Sequence, residues 1–143
     1  MTPTPYAFVK ANWHAEIVDQ ALAGFLQVIA ADKVAVFDVP GAFELPLVAR
    51  KLAQGGRYRA VVAAALIVDG GIYRHDFVAA AVVRGLLAAG LETGVPVLSV
   101  ALAPHHFQDT AHHRAIFADH FVLKGREAGE TAQRVAALHY RIG

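Results

Sequence analysis

The sequence predicts an α/β chain: a three-layer αβα domain in which a four-stranded parallel sheet carries helices on both faces. Three observations predict it. Segments of strand character alternate with segments of helical spacing along the chain, in the order β-α-β-α-β-α-β-α. The later strands, "RAVVAAALIV" (59–68) and "VPVLSVAL" (95–102), are nearly continuous apolar runs, as burial on both faces requires. No repeat, low-complexity tract or linker interrupts the pattern, so residues 1–143 read as one domain with a substantial core.

Each element has its own warrant. "YAFVKA" (6–11) is a short strand. Residues 14–30 carry Ile17, Val18, Ala21, Leu22, Phe25, Val28 and Ile29 at helical spacing. "KVAVFDV" (33–39) is short and rich in β-branched residues, hence a strand, and "PGAFELP" (40–46) is a turn bracketed by prolines. Residues 47–54 form a helix stopped by Gly55-Gly56. The helix at 76–92 places Phe77, Val78, Ala81, Val82, Leu86, Ala89 and Leu91 on more than one stripe, which predicts burial on two sides. After the fourth strand come a His-rich loop and short helix (104–120). A final helix then runs from about Arg126 to Tyr140, with Lys124-Gly125 at its opening.

Composition narrows the function classes. Hydrophobic residues make up 56% of the chain and charged residues 17%, more apolar than an ordinary soluble domain. No apolar stretch is long enough to span a membrane, and "MTPTPY" has no basic-then-apolar signal pattern, so a cytoplasmic location is expected. The apolar excess then belongs in subunit contacts, which predicts a homo-oligomer. A net charge of +1 argues against nucleic acid as a partner. The absence of cysteine excludes disulfides and thiolate metal sites. The adjacent pairs His105-His106 and His112-His113 face different ways, and no His-Glu-x-x-His pattern exists, so no metal site is expected.

In a parallel α/β sheet, ligands bind beyond the carboxyl ends of the strands. "NWH", "PGAFE" and "DGGIYRHD" follow the first three strands, and "PHHF" follows the fourth. Trp13, beside His14, is either a stacking surface for a flat heterocycle or a staple into the core. Glu44 is either an acceptor for a hydroxylated ligand or a cap for the helix after it. Gly70-Gly71 is either an anion-binding loop before a helix start, with Arg74 adding a charged fork, or a plain turn capped by Asp76. Taken alone, the glycine pair favours the plain turn. The meeting of several such clusters at one rim is the stronger signal.

"VPGAFELP", "GGIYRHDFV", "LETGVPVLSV" and "LKG", in this order and spacing, resemble the lumazine synthase family over nearly the whole chain. "ANWHAEIVD", "DGGIYRHDFV" and "PHHF" are most similar to its divergent second type, whose members form decamers of two stacked pentamers. The resemblance implies a flavodoxin-like fold and no cofactor. It also implies a reaction: a ribitylaminopyrimidine condenses with 3,4-dihydroxy-2-butanone 4-phosphate to give 6,7-dimethyl-8-ribityllumazine. Riboflavin and phosphate are the further ligands it suggests.

The resemblance also implies residue roles. Trp13 takes the place of the ring-stacking aromatic, with His14 beside it. Gly41, Ala42, Phe43 and Glu44 hold the ribityl chain and pyrimidine. The backbone of Ile67 and Val68 reads the pyrimidine edge, Gly71 and Ile72 belong to the phosphate loop, and Lys124 stands near the substrate. Three positions depart from the common pattern. Arg74 replaces the proton-transferring histidine, which leaves proton movement to His75, His14 or water. Ser99 replaces a phenylalanine that covers a neighbour's ring. The segment between Leu102 and Lys124 is longer than usual, which assigns the phosphate-binding arginine to Arg114, with His113 behind it. Residues around 98–114 would serve the neighbouring subunit's site.

Overall fold

A computed structural model of the chain describes residues 4–68, 74–104, 108 and 110–143. The elements run β1 (Tyr6–Ala11), α1 (Ala15–Phe25), β2 (Val34–Val39), α2 (Leu45–Gln54), β3 (Ala60–Leu66), α3 (His75–Thr93), β4 (Val97–Leu102) and α4 (Ala111–Ile142). All strand pairings are parallel and the order is β2-β1-β3-β4, so β1 and β3 are central and β4 is an edge. This is the parallel α/β arrangement that the alternating sequence predicts, and the flavodoxin-like fold that the resemblance implies. Among the described residues, no helix is long and apolar enough to cross a membrane.

The strand period of two sorts the core into two layers. Tyr6 and Phe8 of β1, with Val62, Ala64 and Leu66 of β3, pack against α1 and α4 through Ile17, Val18, Phe25 and Phe121. Ala7, Val9 and Ala11, with Val61, Ala63 and Ala65, face α2 and α3 through Leu45, Ala49, Val78 and Leu86. Every residue of β3 is buried, which is why its sequence is an unbroken apolar run. Phe8 meets Phe25 edge-on at a centroid distance of 5.2 Å. A fully buried phenylalanine contributes about 1.5–3 kcal/mol over an exposed one.

The same parity puts Lys10 in the Tyr6–Phe8 row, on the α1 side. Its Nζ reaches Asp19 Oδ1 of α1 at 2.8 Å and Asp38 Oδ1 of β2 at 2.5 Å. Burial alone would lower the pKa of this ammonium. The hydrogen bonds and charges of the two carboxylates outweigh it and hold the pKa above the usual lysine value. Its contribution to stability is therefore whole at neutral pH and is lost only as pH rises through the folded-state value.

Several boundaries depart from the sequence-based expectation. The helix expected over 14–30 ends at Phe25, and the chain leaves it through turns. The expected turn 40–46 contains a single turn of 3-10 helix at Ala42–Glu44 and passes directly into α2, with Pro46 in its first turn where no donor is needed. Asp76 does not cap α3: Arg74 holds the cap position, and Asp76 sits in the first turn. The largest correction is at the end of the chain. The expected short helix and separate final helix are one 32-residue helix, α4, and Lys124-Gly125 lies in its interior. Thr110 caps α4 by accepting the His113 N–H at 3.2 Å. A glycine inside a helix is tolerated where packing needs it, and Gly125 abuts the backbone of α1 at Ala21.

α3 is apolar on two sides, and within one chain it buries one of them. Val78, Val82, Leu86 and Ala89 are buried, while Phe77, Leu87 and Leu91 are 64%, 62% and 78% exposed. The helix stops at Gly94, whose φ of 73° suits glycine.

Candidate active site

The site is assembled from strand ends. Where β1 ends, the Asn12 N–H donates to the Val39 carbonyl at 2.9 Å, which ties the exits of β1 and β2 together. Trp13 follows. It is 47% exposed, so it is not the core staple that one reading allowed. His14 then takes a left-handed conformation (φ 54°, ψ 47°), and its carbonyl accepts the first N–H groups of α1 from Ile17 and Val18. It is the one non-glycine residue with positive φ among the described residues. Such conformations cost free energy and gather at functional sites.

Beyond β2, Gly41 lies under the indole. A Cβ at Gly41 would stand 2.6 Å from the Trp13 ring atoms Cε2 and Cζ2, so only glycine fits there without moving the ring. The Gly41 N–H donates to Glu44 Oε2 at 2.9 Å. Glu44 thus closes its own 3-10 turn; its side chain makes no cap bond to α2, the helix that the capping alternative had it cap, and it remains an exposed carboxylate. Ala42 is buried and anchors the turn, while Phe43 is 49% exposed beside it. Gly41→Ala is expected to displace the indole at little cost in stability, because the crowded group is an exposed side chain. A shift in tryptophan emission with an unchanged melting temperature is the measurement; an unmoved emission maximum would contradict the close contact.

Past β3, Ile67 is buried and its N–H donates to the Leu102 carbonyl at 2.8 Å, while Val68 is half-buried. The glycine loop, with Gly71 and Ile72, lies outside the described residues. Arg74 and His75 stand at the N-terminus of α3, whose orientation favours anions. Arg74 pairs with Asp76 at 3.1 Å and lies over the Phe77 ring at 4.9 Å; its side chain is 70% exposed.

The remaining candidates sit elsewhere. Ser99 and Lys124 share a groove of about 380 Å³ between the edge strand β4 and α4, with Leu98, Val100 and Thr131 among its walls. Lys124 Nζ contacts Glu127 at 3.1 Å, and Ser99 Oγ accepts the Ala101 N–H at 3.3 Å. His113 Nδ1 accepts the Gln108 N–H at 3.0 Å, and its ring meets Phe117 edge-on. Arg114 forms an ion pair with Glu16 in the first turn of α1. The rim therefore gathers Trp13, His14, Gly41–Glu44, Ile67, Val68, Arg74 and His75. Ser99 and Lys124 face the open edge instead. Lys10 was missed by sequence reasoning; the signal for it was a lysine in the buried parity of β1, after Tyr6 and Phe8.

A flavodoxin-like α/β domain with an aromatic ring, a carboxylate and a helix start at its carboxyl rim is the architecture of a protein that handles small molecules. A sequence model of the 6,7-dimethyl-8-ribityllumazine synthase family matches residues 4–140. The chain is 58% identical over 127 residues to a 6,7-dimethyl-8-ribityllumazine synthase of Rhodococcus erythropolis, covering 85% of this chain and 82% of that one. It is 52% identical over 130 residues to 6,7-dimethyl-8-ribityllumazine synthase 2 of Pseudomonas syringae pv. tomato, covering 87% and 76%. With the protein of the same name in Bradyrhizobium diazoefficiens it is 47% identical over 131 residues, covering 90% and 79%. The chain belongs to the 6,7-dimethyl-8-ribityllumazine synthase family.

Proposed function

We propose that the chain, acting as one domain over residues 1–143, is an active lumazine synthase. It condenses 5-amino-6-ribitylamino-2,4-pyrimidinedione with 3,4-dihydroxy-2-butanone 4-phosphate to 6,7-dimethyl-8-ribityllumazine. The observation that carries this reading is the seating of the Trp13 indole on Gly41, with the Gly41 N–H held by Glu44. It offers a flat platform beside an exposed carboxylate, as a ring with a polyhydroxyl chain requires.

In this reading the amine of the pyrimidine attacks the ketone and water leaves to form an imine. A carbon-bound proton is lost as inorganic phosphate leaves. The resulting enol tautomerises to a ketone, which the ribitylamino nitrogen attacks, and a second water leaves as the ring closes. Acceleration comes largely from holding both reactants in register. Trp13 stacks on the pyrimidine, Phe43 walls it, and Glu44 accepts from the ribityl hydroxyls. With the Ile67 N–H committed to Leu102, the pyrimidine edge is read by the peptide groups beyond it, toward Val68. Arg74, together with Gly71, Ile72 and the α3 N-terminus, binds the phosphate. A guanidinium donates hydrogen bonds and offers no acceptor, so it stabilises the leaving phosphate, while His75 or His14 moves the proton.

Ser99 and Lys124 face away from the rim of their own chain, which supports a site completed by a second copy, with His113 and Arg114 serving the neighbour. The exposed apolar face of α3 supports the same assembly, a decamer of two pentamers.

Lumazine formation from the two substrates tests the reading directly. Arg74→Ala is expected to raise KM for the butanone phosphate by about tenfold, the loss of one charge-assisted contact. No lumazine from wild-type protein at high enzyme concentration would overturn the proposal.

A second reading draws on the same exposed indole and on Arg74 in a histidine's place: an oligomer that binds flavin or lumazine and turns over weakly. Riboflavin titration followed by tryptophan quenching separates the two. Strong quenching with negligible synthesis favours the binder.

A further inference from the structure

Lys10 occupies a position that parity assigns to the core. Tyr6 and Phe8 precede it in the same row and are buried, its partner Ala64 on β3 is fully buried, and its own side chain is 12% exposed. An apolar side chain would fill this position. What a lysine adds is direction, since its ammonium is bound at once by Asp38 of β2, its register partner, and by Asp19 of α1.

Those three elements are the ones that place the indole platform. Trp13 leaves from the end of β1, Gly41 from the end of β2, and His14 turns the chain into α1. The backbone rung from Asn12 to Val39 closes the two strands above Lys10. That rung links the strands alone; α1 packs on β1 through Ile17, Val18 and Phe25, an apolar contact that a polar link would complete. The strained backbone of His14, between Trp13 and α1, holds its conformation only where its surroundings fix both sides. Lys10 supplies the missing tie.

We propose that Lys10 is a positioning residue: its ammonium locks β1, β2 and α1 into one unit and thereby fixes the Trp13 indole over Gly41 for a stacked heterocycle. Without it, Asp19 and Asp38 face each other as like charges across the gap, and α1 is driven from the strand ends. The proposal rests on the synthase reading for the identity of the stacked ring, but not for the geometry of the indole.

The test uses the full-length protein and its single tryptophan. Lys10→Met keeps the bulk and removes the charge, and Lys10→Arg keeps the charge. Emission maximum and acrylamide quenching are read on the ligand-free proteins, well below melting temperatures determined separately by circular dichroism. Lys10→Met is expected to red-shift the emission and to raise the quenching constant by about twofold, as the ring leaves its seat on Gly41. KM for the pyrimidine should rise about tenfold with kcat changed less than about threefold, the pattern of lost ground-state binding. Lys10→Arg should restore most of both.

A lowered melting temperature with unmoved emission, quenching and KM would reduce Lys10 to a structural ion pair and overturn the proposal. Should Lys10→Met fail to fold, Asp38→Asn gives the same reading, since it cuts the tie to β2 at an exposed partner. An unmoved indole there is equally decisive against it. If the wild type makes no lumazine, the synthase reading fails, while the fluorescence comparison still decides the role of Lys10.

Discussion

Gly125→Ala should lower the melting temperature by about 10 °C, the largest stability loss expected from adding one methyl group to this chain. A Cβ at Gly125 would stand 1.8 Å from the Ala21 carbonyl oxygen of α1, and one at Gly24 would stand 1.9 Å from the Val122 carbonyl oxygen of α4. The two helices therefore meet backbone to backbone, each glycine admitting the other helix. The crowded atoms are main chain on both sides and cannot rotate away, so the helices must separate. That opens the layer containing Phe8, Phe25 and Phe121. Overpacking of this kind costs about 1–3 kcal/mol or more, a large share of the net stability of a domain. Gly55→Ala is the control: its added Cβ finds nothing closer than 3.6 Å, and its melting temperature should stay within about 2 °C of wild type. Thermal unfolding by circular dichroism reads both, and equal melting temperatures would refute the close contact. Lys124 adjoins Gly125, so synthase activity should fall with the separation of the helices.

Glu44→Ala should carry the largest catalytic penalty among the rim residues, about a hundredfold in kcat/KM for the pyrimidine substrate. The carboxylate has two partners in this account. One oxygen accepts the Gly41 N–H at 2.9 Å and so fixes the peptide beneath the indole; under the proposed function the carboxylate also accepts from the ribityl hydroxyls. Alanine loses both contacts. Glu44→Gln keeps a carbonyl oxygen for Gly41 and should recover part of the loss. KM for the butanone phosphate should stay near wild type, because the proposed function assigns that substrate to Arg74. A parallel rise in both KM values would show that the variant has damaged the whole rim. Glu44 is exposed, so stability should change little.

Much of the fold was legible because its signals are local. β3 is apolar without interruption because it is buried on both faces, and the Gly55-Gly56 pair ends α2 where the sequence stops it, with Gly56 at positive φ. The surplus apolar face of α3 was equally legible. The single long helix was not. Lys124-Gly125 read as a helix opening because an interior glycine is unfavourable unless another backbone lies against it, and only the folded chain reveals Ala21 there. At the site, Trp13, Gly41 and Glu44 could be grouped from topology, since strand ends share a rim. The seat of the indole on Gly41 could not be read, and neither could the separation of Ser99 and Lys124 from the rim. That separation depends on β4 being the edge of the sheet, and strand order leaves no mark on a strand's own sequence. Lys10 escaped notice because one charged residue near a strand end reads as an exposed position. Its burial depends on Asp19 and Asp38, which arrive from distant segments.

The strand order also sets the sequence of events by which the chain can fold. β1 is made before the other three strands, yet it is central, and its second neighbour β3 begins only at Ala60. No strand pairs with its partner through a tight turn, so every rung waits for a long loop to close, which slows folding. One face of β1 and β3 waits longer still. Tyr6, Phe8, Val62 and Leu66 are covered in part by α4, which is made after all four strands. Until that helix docks its glycine against α1, the nascent chain presents an aromatic, apolar sheet face to its surroundings. Its exposure to aggregation during synthesis is thus governed by the arrival of α4.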